Sequence, residues 1–250
     1  MEIKPFEIKS QLINTYKYRI EMHAHTNPVS PCGEASPARL VKIYAELGYD
    51  AVCITNHFFK GLFDNEPIYQ NLSKEEKIDR YIADYEEAKL AGKELGITVI
   101  LGAELRFIEN NNDYLIFGVD KDILLSIYDY LDNTAEYFRR NKKLPESIFI
   151  QAHPFRDGCT LLDPTLLDGI ETFNSHIFHN SKIPLAVKAA KQNNVDITIA
   201  GSDFHHPNTG NEGAAALRTK ALPKDSFELT KILKNRDYIL EIGENAIVLP

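Results

Sequence analysis

Side chains that bind metals recur at the ends of the predicted β-strands of this 250-residue chain. The five segments that carry them are His23-Ala-His25, Asn56-His57, Glu104, His153 and Asp203-Phe-His205. Residues two apart on a strand point to the same face, so each closely spaced pair can converge on one ion. Five imidazoles and two carboxylates suit two or more divalent transition metals. The sequence therefore predicts a fold that gathers distant strand ends around metal ions.

Length and composition predict one α/β domain spanning residues 1–250. The chain is 44% hydrophobic and 26% charged, as expected of a globular protein, and its length is awkward for two equal domains. The amino-terminal MEIKPFEIKS lacks an apolar stretch and a small-residue cleavage motif, and no segment approaches the run of about 20 apolar residues that a membrane span requires. We therefore expect a cytoplasmic protein with no membrane partner.

Net charge and cysteine content further restrict the classes of function that this chain can have. The formal net charge of −8 disfavours extended nucleic-acid binding, which depends on clustered lysine and arginine, and it fits a site that holds cations. Cys32, Cys53 and Cys159 are too few for a disulfide framework and are interpreted as small buried hydrophobic residues in a reducing compartment. Because Cys32 lies near the first ligand pair, a metal-ligand role for it stays open.

Strand and helix patterns alternate along the chain. A strand over residues 18–23 precedes a helix that begins at Ser36-Pro37, with a capping serine and a proline in the first turn, and ends at Gly48. A second helix begins at the capping box of Ser73 and Glu76 and ends at Gly96. Further strands are predicted over residues 51–55, 98–101, 114–118, 147–152, 169–173, 197–200 and 238–242, with a last helix over residues 226–234.

This alternation predicts a parallel sheet covered by helices. Because at least five strands deliver ligands at their carboxyl ends, we favour a distorted (β/α)7 TIM-like barrel with the metal site at that face. A doubly wound open sheet, which gathers residues beside one switch point, is the alternative. Residues 222–250 would close the barrel, and residues 58–72 would form a lid or a simple loop.

Five motifs follow one another in a characteristic order. They are Glu-Met-His23-Ala-His25-Thr, Ile-Thr-Asn-His57, Gly-Ala-Glu104, Ala-His153-Pro and Gly-Ser-Asp203-Phe-His205. In order and spacing they resemble the PHP domain family, named for polymerases and histidinol phosphatases, of the type without attached polymerase domains. The resemblance implies a distorted seven-stranded barrel that hydrolyses phosphate esters with two to three divalent ions, commonly manganese, iron or zinc, with magnesium also allowed.

The resemblance also implies how the ligands are shared. His23, His25, Glu104 and Asp203 would hold a first ion, Glu104 would bridge to a second ion bound by His153, and His57 and His205 would hold a third. Two positions depart from the family pattern, because histidines usual in the family are replaced around Pro31-Cys32-Gly-Glu34 and around Asn111-Asn-Asp113-Tyr114. Asp113, Glu34, Cys32 or water would fill these positions, or fewer ions would bind. Asn56 and Glu21 stand where the family usually has aspartates, so the charge around the ligands differs as well.

The expected chemistry is hydrolysis of a small phosphorylated metabolite or nucleotide by a metal-bridged hydroxide. We expect Asp203, His205 and Arg156 to carry catalysis, and Arg156, His176 and Arg106 to contact the substrate. Arg156 follows His153 by three residues and would grip phosphate with its planar guanidinium. A surface arginine is the alternative, and it is the stronger one for Arg106. His176 would contact substrate or cap its loop.

Three other functions remain open at this point. Phosphodiester or exonuclease chemistry at a nucleic-acid end needs only a few cationic contacts. A catalytically impaired metal-binding regulatory module would explain the departures from the family pattern. Amide hydrolysis also uses a His-x-His pair on a first barrel strand, but this chain offers no evident metal-bridging lysine or further histidine pair.

Overall fold

The computed structural model describes residues 5–243 and 246–250. Within them the strands are β1 (Tyr18–Ala24), β2 (Ala51–Ile54), β3 (His57–Phe59), β4 (Thr98–Leu101), β5 (Ala103–Arg106), β6 (Asp113–Phe117), β7 (Ile148–Gln151), β8 (Gly169–Asn174), β9 (Ile197–Gly201), β10 (Ala215–Thr219), β11 (Tyr238–Ile242) and β12 (Ala246–Val248). The helices are α1 (Pro5–Thr15), α2 (Pro37–Glu46), α3 (Lys60–Asn65), α4 (Lys74–Leu95), α5 (Lys121–Tyr128), α6 (Ala135–Asn141), α7 (Ile183–Gln192) and α8 (Ser226–Lys234). Short 3-10 turns cover Pro67–Tyr69 and Pro164–Leu166.

The strands form two six-stranded sheets. The first has the order β12-β11-β10-β1-β2-β4, and the second has the order β3-β5-β6-β7-β8-β9. The mixed α/β class is thus confirmed, but the expectation of a parallel sheet is wrong in part. The pairs β1–β10, β10–β11, β11–β12, β5–β6 and β6–β7 are antiparallel.

A closed (β/α)7 barrel is not detected among the described residues. Two extended runs of chain pass from one sheet into the other: residues 51–59 break at Thr55-Asn56 between β2 and β3, and residues 98–106 break at Gly102 between β4 and β5. On the other side, β1 meets the segment after β9 through one isolated bridge between Ala24 and Phe204. These breaks interrupt the ladder of hydrogen bonds that a continuous barrel would need.

The carboxyl-terminal elements were predicted correctly as elements. Helix α8 and strand β11 have the predicted bounds. Strand β11 pairs with β10 and β12 and so extends the first sheet, while the Tyr238 hydroxyl donates to the Thr198 carbonyl of the second sheet at 3.0 Å. Within residues 222–243 and 246–250, the chain therefore contacts the second sheet, but no strand pairing there joins the two sheets.

Local sequence signals set the helix ends as expected. The Ser36 hydroxyl accepts from the Arg39 amide before α2, and Ser73 and Glu76 form a reciprocal capping box before α4. Gly96 ends α4 in the left-handed conformation that favours glycine.

Helix α1 was not predicted from the sequence. No helix among the described residues is long and apolar enough to cross a membrane.

The segment of residues 58–72 is neither an open loop nor a free lid. It forms β3, α3 and a 3-10 turn, and Phe58, Phe63 and Tyr69 are fully buried in the core between the second sheet and the helices beside it. Their rings pack edge to face at centroid distances of 4.9 Å. This packing fixes β3, and with it His57, in place.

Candidate metal centre

The seven predicted metal ligands meet where the two sheets adjoin. His23 and His25 lie on and just after β1, Glu104 lies on β5, and Asp203 follows β9. His23 Nε2 is 3.2 Å from Glu104 Oε1 and 3.4 Å from Asp203 Oδ1. His25 Nε2 is 3.5 Å from Glu104 Oε2 and 3.3 Å from Asp203 Oδ1. Two imidazoles and two carboxylates therefore share one small volume.

Two carboxylates connect this volume to His153. His153 Nε2 lies 3.2 Å from Glu104 Oε1 and 3.9 Å from Asp203 Oδ2. Glu104 thus faces His23 and His153 with one oxygen, while its other oxygen faces His25. All five residues are at most 1% exposed. We call His23, His25, Glu104, His153 and Asp203 the inner cluster.

His57 and His205 lie on the solvent side of the inner cluster. His57 Nδ1 is 2.7 Å from Glu104 Oε2, and His205 Nδ1 is 3.3 Å from Asp203 Oδ1. Their rings flank His25, with centroids 4.5 Å and 4.3 Å from its centroid. Both side chains keep a small exposed fraction, 14% for His57 and 12% for His205. We call His57 and His205 the outer pair.

The donor set fits divalent cations. Ligand atoms of the sets His23–His25–Glu104, His23–His153–Asp203 and His25–His57–His205 lie within 4.8 Å of one another. His57 Nδ1 and Glu104 Oε2 are buried and 2.7 Å apart without forming a hydrogen bond of acceptable geometry, and His153 Nδ1 is buried without a hydrogen-bond partner. Burying so many ionisable atoms is costly unless a cation compensates them. The clusters suit several divalent metal ions.

The cluster perturbs the protonation of its own members. Burial raises the pKa of Asp203 and Glu104, but the nearby imidazoles, above all His23, outweigh it and hold both pKa values well below their usual range. Burial lowers the pKa of His23, yet Asp203, Glu171 and Glu104 raise it well above its usual value. His25 behaves oppositely, because burial and the neighbouring His205 and His57 lower its pKa. The site is therefore built for charge compensation.

Glu171 is a functional candidate that the sequence reasoning missed. It lies on β8, and its Oε1 is 2.9 Å from His23 Nδ1 while its Oε2 accepts from the His153 amide at 3.0 Å. A carboxylate on Nδ1 orients the ring and leaves Nε2 free for an ion. The available signal was one acidic residue within the predicted strand of residues 169–173. Gly201 allows this contact, because a Cβ there would lie 2.6 Å from His23 Cβ and 2.8 Å from Glu171 Oε1.

Asn56 and Glu21, which depart from the family pattern, form hydrogen bonds with the backbone around the ligands. Asn56 accepts from the Thr26 amide and donates to the Thr26 hydroxyl, both at 2.7 Å, and so fixes the chain just after His25. Glu21 is fully buried and accepts from the amides of His23 and Ser202 at 2.8 and 3.0 Å. Burial outweighs these hydrogen bonds and raises the pKa of Glu21 to about 7.

A cavity of about 590 Å³ opens onto the outer pair. It is lined by Cys32, His57, Arg106, Asn111, Arg156, Asp157, His176, Phe178, His179, His205 and His206. The three predicted substrate-contacting residues, Arg156, His176 and Arg106, all line it. Arg106, for which a surface position was the stronger alternative, has its side chain at this mouth with 28% exposed.

Both arginines bind one buried aspartate. Arg106 forms a two-pronged ion pair with Asp113, with Nε and Nη2 at 2.6 and 2.7 Å, and Arg156 Nη2 lies 2.9 Å from Asp113 Oδ2. Asp113 is fully buried, whereas both guanidiniums reach the cavity. Two cationic groups on one carboxylate leave an excess positive charge beside the ligands.

His176 is largely buried and also lines the cavity. Its Nδ1 accepts from the Phe178 amide at 3.2 Å, which matches the loop-capping alternative, and its ring lies 5.1 Å from that of His205. Burial lowers the pKa of His176 to about 4. His179 and His206 also line the cavity, and His206 Nδ1 is 3.2 Å from Glu34. A neutral His176 can hydrogen-bond a ligand without adding charge.

Comparison with known proteins identifies the fold and the motifs. A family model described as the PHP domain matches residues 21–242. A two-domain protein of Bacteroides vulgatus, described as containing a predicted PHP-like metal-dependent phosphoesterase, aligns with a TM-score of 0.61 at 18% identity over 91% of this chain. The alignment covers 65% of that protein, so this chain spans about two thirds of its length. No curated protein sequence matches the chain at a significant level.

Two further solved structures align less well, with TM-scores below 0.5. One is a candidate metal-dependent phosphoesterase of Bifidobacterium adolescentis, with a TM-score of 0.46 at 17% identity over 77% of this chain and 89% of that chain. The other is an amidohydrolase of Chromobacterium violaceum with bound sulfate and no metal, with a TM-score of 0.45 at 16% identity over 76% of this chain and 88% of that chain.

Proposed function

This chain belongs to the PHP domain family, and on that premise we propose that it is a metal-dependent hydrolase of phosphate esters that acts on a small phosphorylated metabolite or nucleotide. The observation that carries the proposal is the placement of seven ligand side chains beneath a cavity whose wall holds Arg106 and Arg156. Bound cations beneath the cavity and the guanidinium groups that line it would together suit a phosphoryl group.

The inner cluster would hold the ions most firmly, with Glu104 and Asp203 each shared between neighbouring histidines, and the outer pair would hold a further ion. Divalent ions bound there would lower the pKa of water towards about 7 and withdraw electron density from the phosphoryl oxygens. Glu171 keeps the ring of His23 in the orientation that points Nε2 at this region.

Arg156 and Arg106 would bind the non-reacting phosphoryl oxygens. Asp113 holds the two guanidiniums side by side, so their positions are set before a substrate arrives. Arg156 is 16% exposed and Arg106 is 28% exposed, so each keeps donors that face the cavity. This arrangement would stabilise negative charge that develops during transfer of the phosphoryl group to water.

The cavity sets the size of the substrate. A volume of about 590 Å³ falls within the range of small-molecule sites. The net charge of −8 gives little general attraction for nucleic acid, so the arginines at the mouth would provide local attraction for a phosphate. We therefore place a small phosphomonoester ahead of a nucleic-acid end.

The test combines metal analysis with a panel of phosphate esters. Purified protein loaded with Mn²⁺, Fe²⁺ or Zn²⁺ is expected to release phosphate from at least one phosphomonoester, and His23→Ala is expected to abolish release while the protein still unfolds cooperatively. Elemental analysis should find two or three ions per chain. Release from oligonucleotide ends alone would favour the exonuclease alternative, and tightly bound ions with no turnover on any ester would favour the regulatory module.

A further inference from the structure

The loop of residues 175–181 places an exposed aromatic side chain at the cavity. Phe178 lines the cavity and is 63% exposed, and the preceding Ile177 is also exposed. All 13 phenylalanines of the chain lie within the described residues, and only Phe6 and Phe178 are exposed. Apolar surface that lines a ligand cavity is typical of a binding site. Phe178 is therefore a candidate for contact with the substrate.

Hydrogen bonds hold this loop although its tip is exposed. The side-chain oxygen of Asn174 accepts from the His176 amide and from the Ser181 hydroxyl, both at 3.1 Å. One side chain thus ties the two ends of the loop together. The Phe178 amide donates to Nδ1 of His176 at 3.2 Å. These contacts set the position of the Phe178 ring before a ligand arrives.

The same asparagine connects the loop to the metal ligands. Its side-chain nitrogen donates to Asp203 Oδ2 at 3.2 Å and to Glu171 Oε2 at 2.9 Å. Asn174 therefore contacts a member of the inner cluster with one end of its carboxamide and the loop with the other. This link fixes the position of the loop relative to the metal centre.

One imidazole separates the Phe178 ring from the outer pair. The centroid of the His176 ring lies 5.8 Å from that of Phe178 and 5.1 Å from that of His205. The His206 ring contacts Phe178 at a centroid distance of 5.5 Å. Both imidazoles meet Phe178 edge to face, at interplanar angles of 65° and 76°, so neither is stacked on the ring. Most of the aromatic surface stays open to a ligand.

We propose that Phe178 determines substrate specificity by stacking on a planar aromatic ring of the substrate while the metal centre and the arginines bind its phosphoryl group. One five-membered sugar separates base from phosphate in a nucleoside monophosphate, and one five-membered imidazole separates Phe178 from His205. The site therefore favours nucleoside monophosphates over sugar phosphates that lack an aromatic ring. The inference rests on the proposed function, since it assigns the substrate class of the same site.

A comparison of two esters tests this role. The metal-loaded chain should hydrolyse adenosine monophosphate with a kcat/KM at least about tenfold above that for the same sugar phosphate without its base. Phe178→Ala should remove this preference by lowering kcat/KM for the nucleotide alone, whereas Phe178→Tyr should retain it. Ile177→Ala, which removes a neighbouring exposed side chain that is not among those lining the cavity, should leave both values unchanged. Equal kcat/KM for the two esters in wild type, or an unchanged ratio in Phe178→Ala, would overturn the proposal.

Fluorescence provides a readout that does not require turnover. The chain contains no tryptophan, so Phe178→Trp introduces a single indole at the proposed stacking position. Adenosine monophosphate should quench its emission directly after mixing, because the base stacks on the indole, and the sugar phosphate should not. Phe6→Trp places the indole at the other exposed phenylalanine, on α1, and should respond to neither compound. Equal responses of the two variants to adenosine monophosphate would refute stacking on residue 178.

The two proposals fail separately. If no ester is hydrolysed but adenosine monophosphate quenches Phe178→Trp selectively, the hydrolase is wrong and the aromatic contact stands. If both esters are hydrolysed equally and no selective quenching occurs, the hydrolase stands and the role of Phe178 is refuted.

Discussion

The inner cluster and the outer pair use the same residue types in different surroundings. The inner residues are at most 1% exposed, Glu171 contacts the ring of His23, and Glu21 accepts from the His23 amide. The outer pair is partly exposed and is held by one polar loop that carries Cys32. Enclosure on all sides favours tight, permanent binding of ions. An open position that adjoins the cavity favours exchange of ligands and contact with substrate.

We expect the largest effect from substitution of Glu104, which lies at the centre of the inner cluster. Glu104→Gln removes the carboxylate that faces His23, His153 and His57, so it should lower both ion content and turnover. We expect activity to fall at least about a thousandfold, equivalent to roughly 4 kcal/mol of transition-state stabilisation. His205→Ala, measured beside it, should lose only the outermost ion. Equal ion loss in the two variants by elemental analysis would show that the inner and outer positions are not distinct.

Glu171→Gln tests the orientation of His23. The amide keeps the volume of the carboxylate but loses its charge, so metal affinity should fall by about 10- to 100-fold, as measured by calorimetric titration. Glu241→Gln is a matched control, since Glu241 is also buried but pairs with Arg19 and Arg218. The control should lower the melting temperature and leave metal affinity unchanged. Unchanged affinity in Glu171→Gln would mean that the ring of His23 is oriented without it.

Arg156→Ala tests the arginines that line the cavity and leaves the metal ligands unchanged. Loss of a charged hydrogen bond should lower kcat/KM by roughly tenfold, with ion content unchanged. Arg139→Ala removes another aspartate-paired arginine, which binds Asp168 and lines a different cavity, and it should not change kcat/KM. An Arg156→Ala variant with wild-type kcat/KM would place phosphate binding elsewhere.

A change of pH is the mildest perturbation of the site. Although burial opposes it, the coulombic attraction of Glu104 raises the pKa of His57 to about 10, and the neighbouring Cys159 and Glu104 side chains raise the pKa of His153 to about 10. Both imidazoles are therefore protonated in the metal-free protein at pH 7 and must release protons to bind ions. Metal affinity should rise about tenfold per pH unit for each proton displaced.

The stability of the metal-free protein should respond with the opposite sign. These raised pKa values contribute stability below the unfolded-state value of about 6.5, and the contribution disappears as pH rises towards 10. Melting temperatures measured with and without chelator should therefore diverge as pH increases. Parallel curves would show that proton release is not coupled to metal binding.

Local signals in the sequence predicted most elements and the seven side chains that the structure brings together. The capping serines, the apolar strands and the strand-end histidines carry their information within a few residues. The antiparallel pairs and the division into two sheets depend on contacts across the chain, such as β1 with β10, and no local pattern encodes them. For the same reason the sequence around Asp113 did not predict its ion pairs with two arginines, and no motif marked Glu171 as a neighbour of His23.

The position of the cluster between the sheets has a consequence for the whole fold. His23 belongs to a strand of the first sheet, whereas Glu104 belongs to a strand of the second, and Asp203 follows one. An ion bound by all three would cross-link the sheets at the place where strand pairing is reduced to a single bridge. Loading with metal would then raise the mechanical resistance of this junction, and the degree of loading would govern how strongly the two halves unfold as one unit.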